Sequence, residues 1–570
     1  MAHGVKGQGF HYREAPTRSP SPPTLMPPHA DPAAASAAPA PGPNGDPGLS
    51  GPGGNGGQRL PRQRPLGPPG AGTPLAVAGL LALTLCARLP AYRVNENRWG
   101  DAIARTELSL EWAASPHWIS SFGDGALQYG PLHLYVMGAA LKLGAAKERA
   151  GPITSLLAGT LTVLPLAALT RRLFGRTAAV WSCAALALWG LHVQMSTTGA
   201  SEALSLLLVL SSLALFDPGD ARKLAASGLV LTLACAVRYD SWMLAGLLSL
   251  LVLAHGKDRR AAFGRAVVFG LCSLPFPLVW LYGNWSELGD PLYPMHFVDA
   301  FHRAWVPQGI QTFGLARFRL INLVFWPGVA LLTLGPLATG AALAGMGWAF
   351  RARPDVRWLL WAAWVPAAYF TFRSVVLLDF QPLARFTVTQ VVLLLPFLKP
   401  GADLLLDRLP RRLARAAAAL GAASVAGVTL WLAAYASDTA EEPAHSLLPL
   451  SPLSAIPPDV RRTVALFDAQ GAGAEDLVLV DAAPHDYRDS PVSFFIRHPW
   501  QRVVRCRRPH WAQKLEEKGG RVEWIVRFEG GPLEAAPGVE LRGAALRFRE
   551  RWYDEVPGAP APMHLYRARR

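Results

Sequence analysis

The stretch QYGPLHLYVMGAALKLG, Gln128 to Gly144, decides how this chain is folded. It is apolar enough to cross a bilayer, and whether it does so fixes the sidedness of everything that follows. The next apolar run closes on RRLFGR, Arg171 to Arg176, with three arginines. Basic residues flanking spans stay on the cytoplasmic side. If Gln128–Gly144 spans, those arginines end outside. If it is a helix that lies on or dips into the outer leaflet, they end inside. The charge rule favours the interfacial helix, with an ordinary span as the alternative.

Composition sets the same frame around this stretch. Of 570 residues, 51% are hydrophobic and only 17% charged, against about a quarter charged in soluble domains. The apolar residues come in blocks separated by basic clusters: Lys257, Arg259 and Arg260; Arg351, Arg353 and Arg357; Arg408, Arg411, Arg412 and Arg415. That is the signature of a polytopic membrane protein. The net charge of +15 is therefore loop charge, which argues against a nucleic-acid-binding face. Four of the five cysteines (Cys86, Cys183, Cys235 and Cys272) lie in apolar runs, so no disulfide framework is expected.

Residues 1–72 are rich in Pro, Gly and Ala without periodicity and are expected to be a disordered cytoplasmic tail. Spans are expected near 74–92, 151–169, 177–194, 203–216, 222–237, 241–255, 262–283, 321–349, 357–376, 386–402 and 411–436. These make about eleven, so the chain after Tyr435 emerges outside. Residues 437–570 are of another kind: DVRRTVALFDAQG and WAQKLEEKGG read as helices, EDLVLVDAA and GRVEWIVRF as strands. The expectation is a mainly α membrane bundle, residues 73–436, with a small outer α/β domain.

This topology gathers ionisable residues at one rim of the bundle. Asp101 stands in RWGDAIARTELSLEW, Glu202 in HVQMSTTGASEAL, Arg238 and Asp240 in VRYDSW, and Arg385 in DFQPLARF. Charges at span ends are costly unless they pair or face a wet cavity, which makes them candidates for function. Each has a plainer role available. Asp101 suits a helix N-cap, Glu202 a helix dipole, Arg238 and Asp240 a mutual surface pair, and Arg385 a snorkelling anchor. Together, two acids on early outer segments and two arginines on later ones supply a base and an anion clamp. A partly desolvated Asp101 is expected to have a raised pKa suited to a general base. Glu107 and Glu111 read as solvated positions of the same helix.

The order WGDA, QYGPLHLYVMGAALKLG, RRLFGR, HVQMSTTGASEALSLLL, RYDSWMLAG, GDPLYP and ARFTVTQVVLLLP resembles GT-C superfamily membrane glycosyltransferases. The nearest pattern is the branch of protein O-mannosyltransferases and aminoarabinose transferases. The resemblance runs over about residues 74–400, as weak motifs in the right order. It implies a multi-span bacterial inner-membrane enzyme using a polyprenyl-phosphate-linked sugar, with an essential first-loop acid at Asp101 and a second-loop acid at Glu202. Many relatives carry an acidic pair in the first loop, whereas here Gly100 and Ala102 flank Asp101. Gly130, Pro131 and Leu132 resemble the group's Pro-Pro-Leu segment, with Tyr129 beside them. Tyr129, His192, Arg238, Asp240 and Arg385 are the substrate-binding candidates. Some relatives bind a divalent metal through acids of these loops; here Asp101, Glu202 and His192 would be the ligands, fewer oxygens than a hard cation takes. The resemblance implies an acceptor hydroxyl on a protein, lipid or glycan. A transporter or flippase for an anionic or lipid-linked solute is the alternative, but it would place its charges near the midplane with repeat symmetry.

Overall fold

The computed structural model describes residues 73–96, 98, 100–255, 258–437, 453–484, 488–507 and 511–569, all within one compact unit, Gly70–Arg570. The expected disordered tail, residues 1–72, lies outside the described residues. The helices run α1 Thr73–Val94, α2 Gly100–Ala114, α3 Pro131–Lys142, α4 Lys147–Leu161, α5 Val163–Phe174, α6 Arg176–Leu188, α7 Gly190–Met195, α8 Glu202–Leu215, α9 Ala221–Cys235 and α10 Asp240–Leu253. They continue with α11 Arg259–Ser273, α12 Pro275–Leu288, α13 Tyr293–Phe313, α14 Leu315–Leu323, α15 Phe325–Leu334, α16 Pro336–Ala352, α17 Arg357–Phe372, α18 Val388–Val392, α19 Leu398–Leu406 and α20 Arg411–Ala434.

Four helical stretches are long and apolar enough to cross a membrane: Leu75–Val94, Lys147–Phe174, Pro354–Leu377 and Arg411–Trp431. Three bent pairs, with α11 and α12 meeting at 54°, α14 and α15 at 59°, and the segments Ala384–Val392 and Leu395–Leu406 at 42°, raise the count to seven if each pair is one span. The expectation of about eleven is larger because α6, α8 and α10 are apolar but shorter, at 13, 14 and 14 residues. At about 1.5 Å per residue such helices reach only about 20 Å of a hydrocarbon layer about 30 Å thick.

The same arithmetic bears on Gln128–Gly144. Pro131 supplies the first turn of α3, where its missing N–H costs nothing, and the helix stops after 12 residues. It is about 18 Å long, too short to span. Instead it lies against α2, where a Cβ on Gly138 would come within 2.4 Å of Trp112. At its other end a Cβ on Gly130 would meet the Ala236 carbonyl at 2.4 Å. These two close approaches pin α3 between α2 and the end of α9. The bundle core is apolar, built around Trp189, Leu206, Leu210, Phe216, Leu248, Phe325 and Phe397. Helices α16 and α19 meet through Gly345 and Gly401 backbone to backbone, the small-residue contact that membrane helices use.

Beyond the bundle, β1 Ala436–Ser437 pairs in parallel with β2 Leu453–Ser454. An α/β layer follows: α21 Pro458–Ala469, β3 Leu477–Val480, α22 Asp489–Phe495, β4 Val503–Arg505, α23 Trp511–Glu517, β5 Val522–Phe528, β6 Val539–Arg542, β7 Ala545–Phe548, β8 Arg551–Val556 and β9 Met563–Ala568. The seven-stranded sheet has the order β4-β3-β5-β9-β8-β7-β6. Strand β3 is parallel to β4 and β5, and the rest of the sheet is antiparallel. The two helices and two strands read from sequence are α21, α23, β3 and β5. The meander β6 to β9 was not read, being short and half exposed. Its signal is Gly543 at φ 59°, opening the two-residue turn between β6 and β7.

Candidate active site

Asp101 lies in the first turn of α2, inside the helix and not at its cap. One carboxylate oxygen accepts from the Tyr129 hydroxyl at 3.0 Å. The other accepts from Arg385 Nη1 at 2.9 Å. Arg105, one turn on, brings a nitrogen to 4.0 Å of the same oxygen and lays its guanidinium over the Tyr129 ring at 4.4 Å. Burial alone would raise the Asp101 carboxyl, but the charges of Arg385 and Arg105 outweigh it and hold the group well below the usual carboxylate range. The raised pKa expected from desolvation is therefore corrected: two cations within reach reverse the sign. Burial and the Asp101 charge push the Tyr129 phenol up, so it remains a hydrogen-bond donor.

Glu202 opens α8, where it complements the positive end of the helix. Its Oε1 accepts from Arg238 Nη1 at 2.6 Å and lies 3.9 Å from Arg385 Nε. Its Oε2 is buried with no hydrogen-bond partner. Arg238, between α9 and α10, also donates through Nε to Asp240 at 3.2 and 3.3 Å and through Nη1 to Ser201 at 3.3 Å. Both Arg238 and Arg385 cover the Phe386 ring, at 5.8 and 5.4 Å. As a snorkelling anchor, Arg385 would stand apart from any acid. It instead bridges Asp101 and Glu202, carboxylates that begin helices 101 residues apart in sequence.

Five of the seven candidates thus form one network, Asp101, Glu202, Arg238, Asp240 and Arg385, with Tyr129 as a sixth member through its hydroxyl. His192 does not join it by any described contact. The segment read as an outer loop continues as α7, and His192 is fully buried there. Its Nδ1 lies 2.6 Å from Arg88 Nη2 of α1, and its ring stacks on Trp189. Two residues near this network went unread. Arg105 stands four residues from Asp101 in a helix, a spacing that places the two side chains together. His133, in the first turn of α3, is 1% exposed, and neither ring nitrogen has a partner. Burial, then the charges of Arg105 and Arg238, lower its pKa to about 3, so the ring is neutral.

The donor set does not suit a metal. Asp101 and Glu202 are joined through guanidiniums, His192 is held by Arg88, and among the described residues no three His, Cys, Asp or Glu side chains gather in a metal-holding group. What the arrangement offers is three guanidiniums, those of Arg105, Arg238 and Arg385, balanced by the carboxylates of Asp101, Glu202 and Asp240. Arginine forks of this kind bind phosphate oxygens in pairs.

Residues 128–281 match the family described as dolichyl-phosphate-mannose-protein mannosyltransferase. That segment contains Tyr129, His133, Glu202, Arg238 and Asp240, and Asp101 and Arg385 lie on either side of it. The fold is similar to that of ArnT from Cupriavidus metallidurans. In the apo state the TM-score is 0.51 at 14% identity, over 86% of this chain and 97% of that one. In the structure of that protein bound to undecaprenyl phosphate it is 0.55 at 13%, with the same coverage. The oligosaccharyltransferase of Archaeoglobus fulgidus, in complex with Zn and sulfate, aligns at 0.50 and 15% identity over 80% of this chain and 68% of that one. At such identities the likeness is one of fold. No curated protein sequence matches. The matched segment, about a quarter of the chain, and the shared architecture are a likeness to membrane glycosyltransferases of the GT-C superfamily.

Proposed function

We propose that this chain transfers a sugar from a polyprenyl-phosphate-linked donor to an acceptor hydroxyl at the outer face of a bacterial inner membrane. The observation that carries this reading is Arg385 shared between Asp101 at 2.9 Å and Glu202 at 3.9 Å. In the resting site all three arginines face carboxylates. A donor phosphate competes for Arg385 and Arg238, whose forks stabilise the negative charge that develops on the leaving phosphate. Once phosphate draws Arg385 away, Asp101 loses its nearest cation and its proton affinity rises. The carboxylate then takes the proton of the acceptor hydroxyl. The acceptor oxygen bonds to the anomeric carbon, the bond from that carbon to the phosphate oxygen breaks, and polyprenyl phosphate leaves with the electron pair. Direct displacement inverts the anomeric carbon. The base is thus activated only when donor is present, which disfavours proton transfer in the empty site.

The proposal includes the topology that brings a lipid-borne donor to this cluster: eleven spans, α2 and α3 at the outer leaflet, residues 1–72 inside and 437–570 outside. The arginine clusters and the close packing of α3 on α2 support it. Cysteines at the exposed Gly123 and Gly530 should label from outside, and one at the exposed Thr177 should not. Outside labelling at Thr177 would remove Glu202 from the active face. The function itself is tested by mass spectrometry of envelope glycans, glycolipids and glycoproteins in cells with and without this protein. A missing sugar is expected on one acceptor class, and an unchanged envelope refutes the assignment.

A further inference from the structure

The outer α/β domain fastens onto the same short segment that carries Asp101. Glu96, just before α2, accepts from the Ile456 amide at 2.6 Å and from Arg461 Nη2 at 2.8 and 2.7 Å through its two oxygens. Its own amide donates to the Ser454 carbonyl at 2.9 Å. Lys147, at the start of α4, donates to the Ile496 carbonyl at 3.0 Å. Between these two anchors, Glu107 on α2 pairs with Arg505 on β4. This pair is largely withdrawn from solvent, with side chains 18% and 11% exposed, unlike the solvated position expected for Glu107. Arg505 is fixed in turn by Ser490 Oγ at 3.2 Å and by the pairing of β4 with β3.

Helix geometry says what this contact does. At about 100° per residue, Glu107 lies about 160° around α2 from Arg105 and about 120° from Asp101. The side of α2 that Arg505 grips therefore faces away from the charged cluster, about 9 Å along the axis from Asp101 and about 3 Å from Arg105. We infer that the outer domain is a positioning clamp on α2, and that Glu107–Arg505 sets the placement of Asp101 and Arg105 in the site. For the consequence in catalysis this rests on the glycosyltransferase reading. The clamp itself does not. A sub-ångström rotation of α2 moves Asp101 relative to Arg385 without touching the arginines that hold the donor, and misplacement of that order lowers turnover.

The test uses the full-length protein in proteoliposomes: Arg505→Glu, Glu107→Arg, and the two combined, with hydrogen exchange and transfer kinetics measured on each. Each single variant is expected to raise amide exchange in residues 100–114 about tenfold and to lower kcat about tenfold, with donor KM within about twofold of the parent. The double variant restores the ion pair with its charges exchanged, and both readouts should return to within about threefold. Single variants with normal exchange in α2 overturn the clamp. So does a double variant as impaired as either single one, since the effect would then come from damage to the outer domain. A fall in kcat matched by an equal rise in donor KM also overturns it, because the contact would then act on donor binding. If the parent transfers no sugar from any polyprenyl-phosphate donor, the glycosyltransferase reading fails while the exchange measurement still decides the clamp.

Discussion

Two arginine–carboxylate groups stand at the ends of apolar helical stretches in this bundle, and they differ in what their carboxylates leave unsatisfied. Arg373 donates to Asp299 at 2.9 Å and to Asp379 at 3.0 Å, one cation between two acids from neighbouring elements. Arg385 likewise lies between two acids, but one of them, Glu202, keeps a buried carboxylate oxygen without a hydrogen-bond partner. Leaving such a group unpaired costs about 1–3 kcal/mol, a cost that a purely structural cluster has no reason to carry. The first group reads as a brace that holds α13 to the end of α17. The second reads as a site whose missing partner belongs to a substrate.

The largest expected effect that would break this contrast is at Asp101. Asp101→Asn keeps the shape of the side chain, and loss of general-base help lowers transfer by about two to four orders of magnitude. It also removes one negative charge from a balanced cluster, so polyprenyl phosphate should bind at least as tightly as before. Near-normal turnover in a sugar-transfer assay would return Asp101 to a structural role. The pH behaviour sharpens the same point. A carboxyl depressed in the folded protein contributes stability that is present above its unfolded pKa, about 3.9, and is lost as pH falls below that toward the folded value. Thermal melts from pH 5 to 8 should therefore show the same pH dependence in the parent and in Asp101→Asn, and the two should diverge only in stronger acid.

Arg385→Ala and Arg238→Ala come next, each raising donor KM about tenfold or more through loss of a charge-assisted pair. Arg385→Lys should recover part of that loss, since it keeps the charge and gives up the fork. Equal donor KM in all three variants would move the phosphate clamp elsewhere. Arg373→Ala predicts the converse pattern. Leaving the partly exposed Asp299 and Asp379 without their cation is expected to cost about 1–2 kcal/mol of stability, visible as a lower melting temperature, while donor KM per folded molecule stays unchanged. The smallest effect belongs to Glu111→Gln on the exposed face of α2, within about 0.5 kcal/mol of the parent and normal in transfer.

How much of this was legible follows from where each signal sits. Asp101, Glu202, Arg238, Asp240 and Arg385 stand out in sequence because ionisable groups beside apolar runs need a reason to be there. Their pairing does not stand out, since Arg385 reaches an acid 284 positions away, and with it went the sign of the Asp101 shift. Arg105 was readable from its helical spacing to Asp101. His133 was not, because one histidine in an apolar segment looks like packing. His192 was drawn into the site because it falls at the end of the expected span 177–194; α6 stops at Leu188, and α7 buries the ring where Arg88 claims it. Glu107 looked solvated because nothing in residues 437–570 announces that β4 docks on α2. Of the eleven expected spans, four to seven stand out as helices long and apolar enough to cross, because apolar runs that look continuous are broken by bends and by polar turns between short helices.

The most direct test of the contrast is a binding titration with polyprenyl phosphate on purified parent, Arg385→Ala and Arg373→Ala, each corrected for its folded fraction. The account predicts parent and Arg373→Ala affinities equal within about twofold, and Arg385→Ala weaker by about tenfold or more. Equal affinity in all three, or equal losses at both arginines, would contradict it, because the group around Arg385 would then be a second brace and no phosphate site.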